Sequence, residues 1–210
     1  MKRPETSWKL LLVTVILANI LWFATFYLTF STFWIKITIS ASSLAVLSMW
    51  IRPIGKNRFH LDAKSLLIGL ISAVALYLIF WAGKEISSAI FPFAERQIGG
   101  VYGKGEGTPM WTIFLLLLFI TGPCEELYWR GFLQDGLMER FGGCRGWLLT
   151  TAIYAGVHIW SFNFMLIGAA AVAGAFWGAM YWRIRNLLPV IISHSLWSAF
   201  IFAVMPLSFE

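Results

Sequence analysis

Five ionisable side chains stand inside apolar stretches of this chain: Glu125, Glu126 and Arg130 in "ITGPCEELYWRGF", His158 at the end of "YAGVH", and His194 at the start of "HSLWS". At membrane depth such groups are costly and persist only where they face a protein interior or water. Glu126 and Arg130 are four residues apart, so on a helix they share a face and can pair, each offsetting the other's desolvation. Glu125 points about 100° away on a helix of 3.6 residues per turn, and five positions separate it from Arg130. It is the carboxylate without a local partner, and in that setting it can act as a general base on water. For Glu126 and Arg130 a structural ion pair and a catalytic role stand side by side. A lone buried histidine is most often a hydrogen-bonded core residue, but five ionisable groups drawn from three separate apolar segments point to a site.

The elements that must position these groups are set by composition. Of 210 residues, 59% are hydrophobic and 12% charged, with 12 Trp, 18 Phe and a mean hydropathy of +0.75. Apolar runs near the ~20 residues needed to cross a bilayer recur along the whole sequence. The expectation is all-α: a polytopic transmembrane helical bundle of seven to eight spans, forming a single integral membrane domain over residues 1–210. Spans are predicted at 8–28, 32–51, 64–83, 110–133, 146–160, 163–182 and 187–206. Residues 84–97, with four charges and a proline, are expected to form an interfacial amphipathic helix, or a short or re-entrant segment as the eighth. The glycine-rich "GVYGKGEGTP" at 100–109 follows no strand and carries no P-loop lysine, so it reads as a flexible loop. Ala170, Gly174 and Gly178 recur every fourth position as a ridge for close helix packing or for a substrate helix.

A net charge of +6 does not point to nucleic acid, because no polar domain displays it. Lys2, Arg3, Lys9, Arg52, Lys56, Arg58, Lys64, Arg140, Arg145, Arg183 and Arg185 fall on one side of the predicted topology, against Lys36, Lys84, Arg96 and Lys104 on the other. That bias places the N-terminus in the cytosol. The basic, apolar start lacks a small-residue cleavage site and is expected to be an uncleaved first span. Cys124 and Cys144 fall in a span and a cytosolic loop and are expected to be unpaired thiols. Depth supplies a test. Taking ~1.5 Å per residue, Glu125 lies about 22 Å from the start of its span, toward the cytosol, and His194 about 10 Å in from the cytosolic end of its own. His158 comes out about 18 Å deep, several ångströms too far unless its helix starts elsewhere or tilts.

With these residues in place, the sequence resembles the CPBP family of intramembrane proteases, named for CAAX and bacteriocin processing and also called the Abi family. Its Glu-Glu-x-x-x-Arg motif is matched by Glu125, Glu126 and Arg130, followed by Gly131. Its Phe-x-x-x-His motif is matched by Tyr154 and His158, with Tyr for Phe. Its His-x-x-x-Asn/Asp motif keeps His194 and has Ser198 where an amide or acid is usual, a shorter hydroxyl with one donor. The resemblance covers a catalytic core of about 110–200. It implies an intramembrane endopeptidase acting on a membrane-associated peptide or protein substrate within the lipid bilayer, with no nucleic acid and no soluble cofactor as partner. Glu125 would deprotonate water, His158 would orient it or pass the proton, and His194 with Ser198 would stabilise the oxyanion. Tyr154 would shape the pocket wall, and Arg130 would hold Glu126. The sequence lacks His-Glu-x-x-His, and neighbouring glutamates diverge on a helix, which favours a glutamic-type reaction without metal. The family's metalloprotease label leaves open a zinc ion held by Glu125, His158 and His194. The small size implies a bacterial cytoplasmic (inner) membrane protein. Two rivals remain: a catalytically silent scaffold or immunity protein of the same fold, and a proton-coupled transporter, for which no internal repeat is visible.

Overall fold

The structure, a computed structural model, describes residues 7–207; Lys2 and Arg3 of the charge tally lie outside the described residues. Those residues form helices α1 (Trp8–Phe26), α2 (Phe33–Ile51), α3 (Ala63–Ile90), α4 (Ala94–Tyr102), α5 (Met110–Phe141), α6 (Gly143–Val157), α7 (Phe164–Ile184) and α8 (Leu188–Val204), with no strand among them. Each predicted span is a helix. Five of them, α1, α2, α3, α5 and α7, are long and apolar enough to cross a membrane, and α8 is a shorter apolar helix. Leu12, Val13, Ile16 and Ile20 on α1 and Leu67, Ile71, Val74 and Leu78 on α3 point outward, an apolar surface that lipid would cover.

Local chemistry sets the ends of the elements. Thr32, Asp62 and Asn163 cap α2, α3 and α7 by accepting from Ile35 N, Ser65 N and Leu166 N. Pro92 divides the segment expected to be one interfacial helix. Residues 84–90 continue α3, Phe91 turns extended ahead of the proline, and α4 begins at Ala94. The glycine-rich stretch is partly ordered as well: its first residues finish α4, and a single 3₁₀ turn follows over Gly103–Gly105.

The largest difference from the sequence expectation is the end of α5, which runs to Phe141 rather than 133 because its polar last turns are satisfied by protein. Gln134 donates to the Gly178 carbonyl at 2.7 Å. Asp135, 1% exposed, receives Arg185 at 2.7 Å, Arg58 at 3.3 Å, Arg52 at 3.7 Å and the Tyr181 hydroxyl at 3.0 Å. Gly142, at φ 84°, then turns the chain into α6. This removes the depth conflict: counted from that turn, Glu125 and His158 are each about 22–25 Å away at 1.5 Å per residue, so they lie level.

The ridge on α7 is filled by its own neighbours. A side chain at Gly174 would meet the Tyr154 ring at 2.9 Å, and one at Gly178 would meet Trp147 at 2.7 Å. The small residues bring α6 close and expose the α7 carbonyls to Arg130, Gln134 and Trp147. No room is left there for a substrate helix.

Candidate active site

Two π-helical turns, Leu117–Thr121 and Trp129–Gln134, bracket the two glutamates in α5. Pro123 explains the first: it cannot donate to the preceding turn, and a widened turn accommodates it without breaking the helix. Gly122 lets α8 approach, since a Cβ there would meet Ser195 Cα at 2.9 Å. The Arg185 to Asp135 pair sets the level. Asp135 lies nine positions after Glu126 and Arg185 nine before His194, so the two helices meet again at the glutamate.

Glu126 is fully buried and takes two nitrogen partners on one oxygen. Arg130 Nη1 reaches Oε1 at 2.7 Å and His194 Nδ1 reaches it at 2.6 Å. The expected pair with Arg130 is present, and the link to His194 is new. Arg130 lies between the rings of Tyr154 and Trp177, at 5.0 and 5.6 Å, and donates to the Gly174 carbonyl at 3.4 Å. Trp177 in turn stacks on His194, with centroids 3.8 Å apart and planes 17° from parallel. A carboxylate accepts only, so His194 carries a proton on Nδ1, and its Nε2 is left for other partners. When Nε2 is also protonated, Glu125, Glu126, Arg130 and His194 sum to zero charge, which suits a site at membrane depth.

Glu125 does have a partner, one from another helix: the Tyr154 hydroxyl donates to its Oε2 at 3.1 Å. Tyr154 thus holds the carboxylate in addition to forming wall. Its backbone carbonyl also receives His158 Nδ1 at 2.7 Å, and Trp22 of α1 donates to His158 Nε2 across a long 3.4 Å. His158 stands where α6 gives way to a 3₁₀ turn, His158–Ser161, that carries it beside Tyr154, with ring centroids 5.1 Å apart. Nothing in the local sequence around Trp22 or Trp177 marks either as a partner of a histidine.

A cavity of about 500 Å³ opens over this layer, and Glu125, Tyr154, His158, His194 and Ser198 all line it. Glu126 and Arg130 do not; they lie behind the wall. Ser198, one turn beyond His194, makes no hydrogen bond to the described residues. Cys124 has only a weak contact with Ser42, at 3.8 Å, and both Cys124 and Cys144 are free thiols. The fit for zinc is poor. Among the described residues no three of His, Cys, Asp and Glu converge as ligands, and both nitrogens of His158 already have partners.

Residues 107–200 match the family model described as Type II CAAX prenyl endopeptidase Rce1-like. That match agrees with the resemblance to the CAAX protease family carried by Glu125, Glu126, Arg130, Tyr154, His158 and His194. It spans just under half of the chain and contains every group of the site named above except Trp22 and Ser42. The match supports an intramembrane endopeptidase in an integral membrane protein. No curated protein and no solved structure matches the chain. The matched segment starts in the loop before α5 and ends within α8, so α1 to α4 lie outside it.

Proposed function

We propose that this chain hydrolyses a peptide bond of a membrane-associated substrate with a water activated by Glu125, without a metal ion. One observation carries the reading: Glu125, His194 and Ser198 face one cavity, while Glu126 and Arg130 are buried behind it. Glu125 takes a proton from water, and the hydroxide oxygen attacks the scissile carbonyl carbon. The oxyanion that forms accepts hydrogen bonds from the Ser198 hydroxyl and from protonated His194 Nε2, whose imidazolium Glu126 offsets. Glu125 returns the proton to the leaving nitrogen as the C–N bond breaks, giving a new carboxyl terminus and a free amine. His158, held to the Tyr154 carbonyl, orients the water by exchanging its long bond from Trp22 for one to water. Tyr154 aims the Glu125 carboxylate.

The family's name points to a substrate bearing a prenyl group. The cavity suits one, since Phe26, Phe33, Trp34, Ile37 and Phe80 make much of its wall. The test is cleavage of an S-farnesyl peptide by protein reconstituted in vesicles. Glu125→Gln keeps the shape and removes the base, and it should lower kcat by a factor of about 10² or more; equal rates would refute the mechanism. Activity that survives exhaustive chelation supports the metal-independent reaction, and activity lost to chelation and restored by zinc refutes it.

A further inference from the structure

Each helix of the bundle that lines the catalytic cavity does so with the part farther from Asp135. The lining residues fall at 79–87 of α3, 164–172 of α7 and 194–202 of α8, at Phe26 where α1 ends, and at 33–37 where α2 begins. On α5 they run from Leu117 to Glu125, and α6 contributes Tyr154 and then His158 at its end. Toward Asp135 the way is closed. Residues 128–138 of α5 are all buried, and Glu126, Arg130, Gln134 and Asp135 are each 1% exposed or less. A peptide cannot reach Glu125 from that end without unpacking about three turns of helix.

The closed end is the basic one. Arg52 follows α2, Arg58 precedes α3 and Arg185 follows α7, and all three reach the Asp135 carboxylate. The loops there, at 52–64, 140–145 and 183–185, hold four, two and two lysines or arginines, against Lys36, Lys84, Arg96 and Lys104 at the cavity end. Positive charge is retained on the cytosolic side of a membrane, which turns the cavity end outward. Ten residues of α5 separate Asp135 from Glu125, about 15 Å of helix and so half of an apolar core ~30 Å thick. The cavity starts near the mid-plane and opens away from the arginines. α4, nine residues long, borders the opening: Ile98, Val101 and Tyr102 line the cavity while Glu95 and Arg96 are exposed, the pattern of a helix lying in the interface.

We propose that the substrate reaches Glu125 from the extracytoplasmic side, as a membrane-anchored peptide already inserted in or carried across the bilayer, whose hydrolysed bond lies between the mid-plane and the outer surface. This rests on the endopeptidase reading for the reaction, and on the one closed end of the cavity for the direction. The apolar anchor fills the aromatic wall from the same side, and the new termini leave outward. A peptide that stays in the cytosol is kept from the site by the buried turns of α5.

Sealed membrane vesicles of the two orientations separate access from chemistry. An S-farnesyl peptide carrying a sulfonated dye, which stays on the side to which it is added, should be cleaved by right-side-out vesicles and not by inverted ones, and by both once detergent opens them. Labelling of Cys144 by a membrane-impermeant maleimide reads the orientation of the same vesicles. Access is read without cleavage at Gly168, which lines the cavity and has no atom within 4 Å of where a Cβ would stand. In a Cys144→Ser background, which alone serves as the blank, Gly168→Cys should take the maleimide in right-side-out vesicles and not in inverted ones. Cleavage in sealed inverted vesicles, cleavage only after detergent, or labelling of Cys144 in right-side-out vesicles would overturn the proposal. So would Gly168→Cys that is labelled from the inverted side or from neither. No cleavage even in detergent, with Gly168→Cys labelled from outside only, overturns the endopeptidase reading and leaves the direction of access.

Discussion

Removing both members of the Glu126 and Arg130 pair should damage the fold less than removing either, while leaving catalysis slowed. Arg130 is 1% exposed and Glu126 is not exposed at all, and 2.7 Å separates their charged atoms. Arg130→Met leaves Glu126 with His194 alone, and Glu126→Gln leaves a buried guanidinium with only the Gly174 carbonyl and two ring faces. Breaking a buried pair from one side costs about 3–5 kcal/mol, whereas replacing both partners with uncharged side chains of similar size is often close to neutral. Each single variant should therefore lose on the order of 10 °C in unfolding temperature, given roughly 2–4 °C per kcal/mol for a chain of this size. The double variant Glu126→Gln/Arg130→Met should recover most of that, with a coupling of about 3 kcal/mol or more. Thermal unfolding in detergent gives the stability, and cleavage of the S-farnesyl peptide gives the activity. A neutral amide in place of the Glu126 carboxylate cannot offset an imidazolium at His194, so kcat should stay down by about 10² even in the recovered fold. Additive losses would refute the coupling. A stable double variant with normal kcat would refute the catalytic use of Glu126 and leave the pair purely structural.

Three further outcomes follow from the same contacts. Asp135→Asn should cost about 3–5 kcal/mol in unfolding, because it leaves Arg58 and Arg185 without their buried counter-ion; a loss under about 1 kcal/mol would show that solvent already screens the cluster. The Asp62 carboxyl is held below the usual range by its hydrogen bonds from Ser65, so its contribution is present above about pH 4 and lost as pH falls through the lower, folded value. The stability gap between wild type and Asp62→Ala should thus be flat from about pH 5 to 7 and close below about pH 4. Cys144 is exposed beside the turn at Gly142, whereas Cys124 is half-buried among helices. With the N-terminus in the cytosol, a membrane-impermeant maleimide should label Cys144 in inverted vesicles and not in intact cells; the opposite pattern would reverse the orientation.

The parts of this molecule that a sequence makes readable are those set by neighbours in the chain. Apolar length marked every helix but α4, and a spacing of four gave Glu126 its bond to Arg130. What stayed hidden were contacts between helices: Glu126 with His194, Glu125 with Tyr154, and His158 with Trp22 are 68, 29 and 136 residues apart. Periodicity assigns a residue to a face of its helix and does not say what meets that face. Asp135 was missed for a related reason. A carboxylate followed by Glu139 and Arg140 looks like the start of a loop, and only the arrival of Arg52, Arg58 and Arg185 from elsewhere makes it interior. The depth conflict at His158 was the trace this error left in the sequence, since ending α5 early shortened one arm of a hairpin whose arms are nearly equal.

The division of the chain at residue 107 bears on what can vary between enzymes of this kind. Every group proposed to handle the proton or the oxyanion lies within 107–200, on α5, the end of α6, and α8. The walls that would meet the substrate away from the reacting bond come largely from outside that segment: Phe26 at the end of α1, Phe33 and Trp34 at the start of α2, Phe80 on α3 and Lys104 beyond α4. Trp22 and Phe26 meet His158 directly, while α2 packs along the glutamate turns of α5 and α3 along α8. Substitutions at the cavity-wall residues themselves can reshape which peptide is held without moving Glu125, provided the packing of α1 and α2 on α5 and of α3 on α8 keeps its shape. Mutations at Phe33 or Lys104 should change KM among substrates, and mutations at Trp22 should change kcat for all of them.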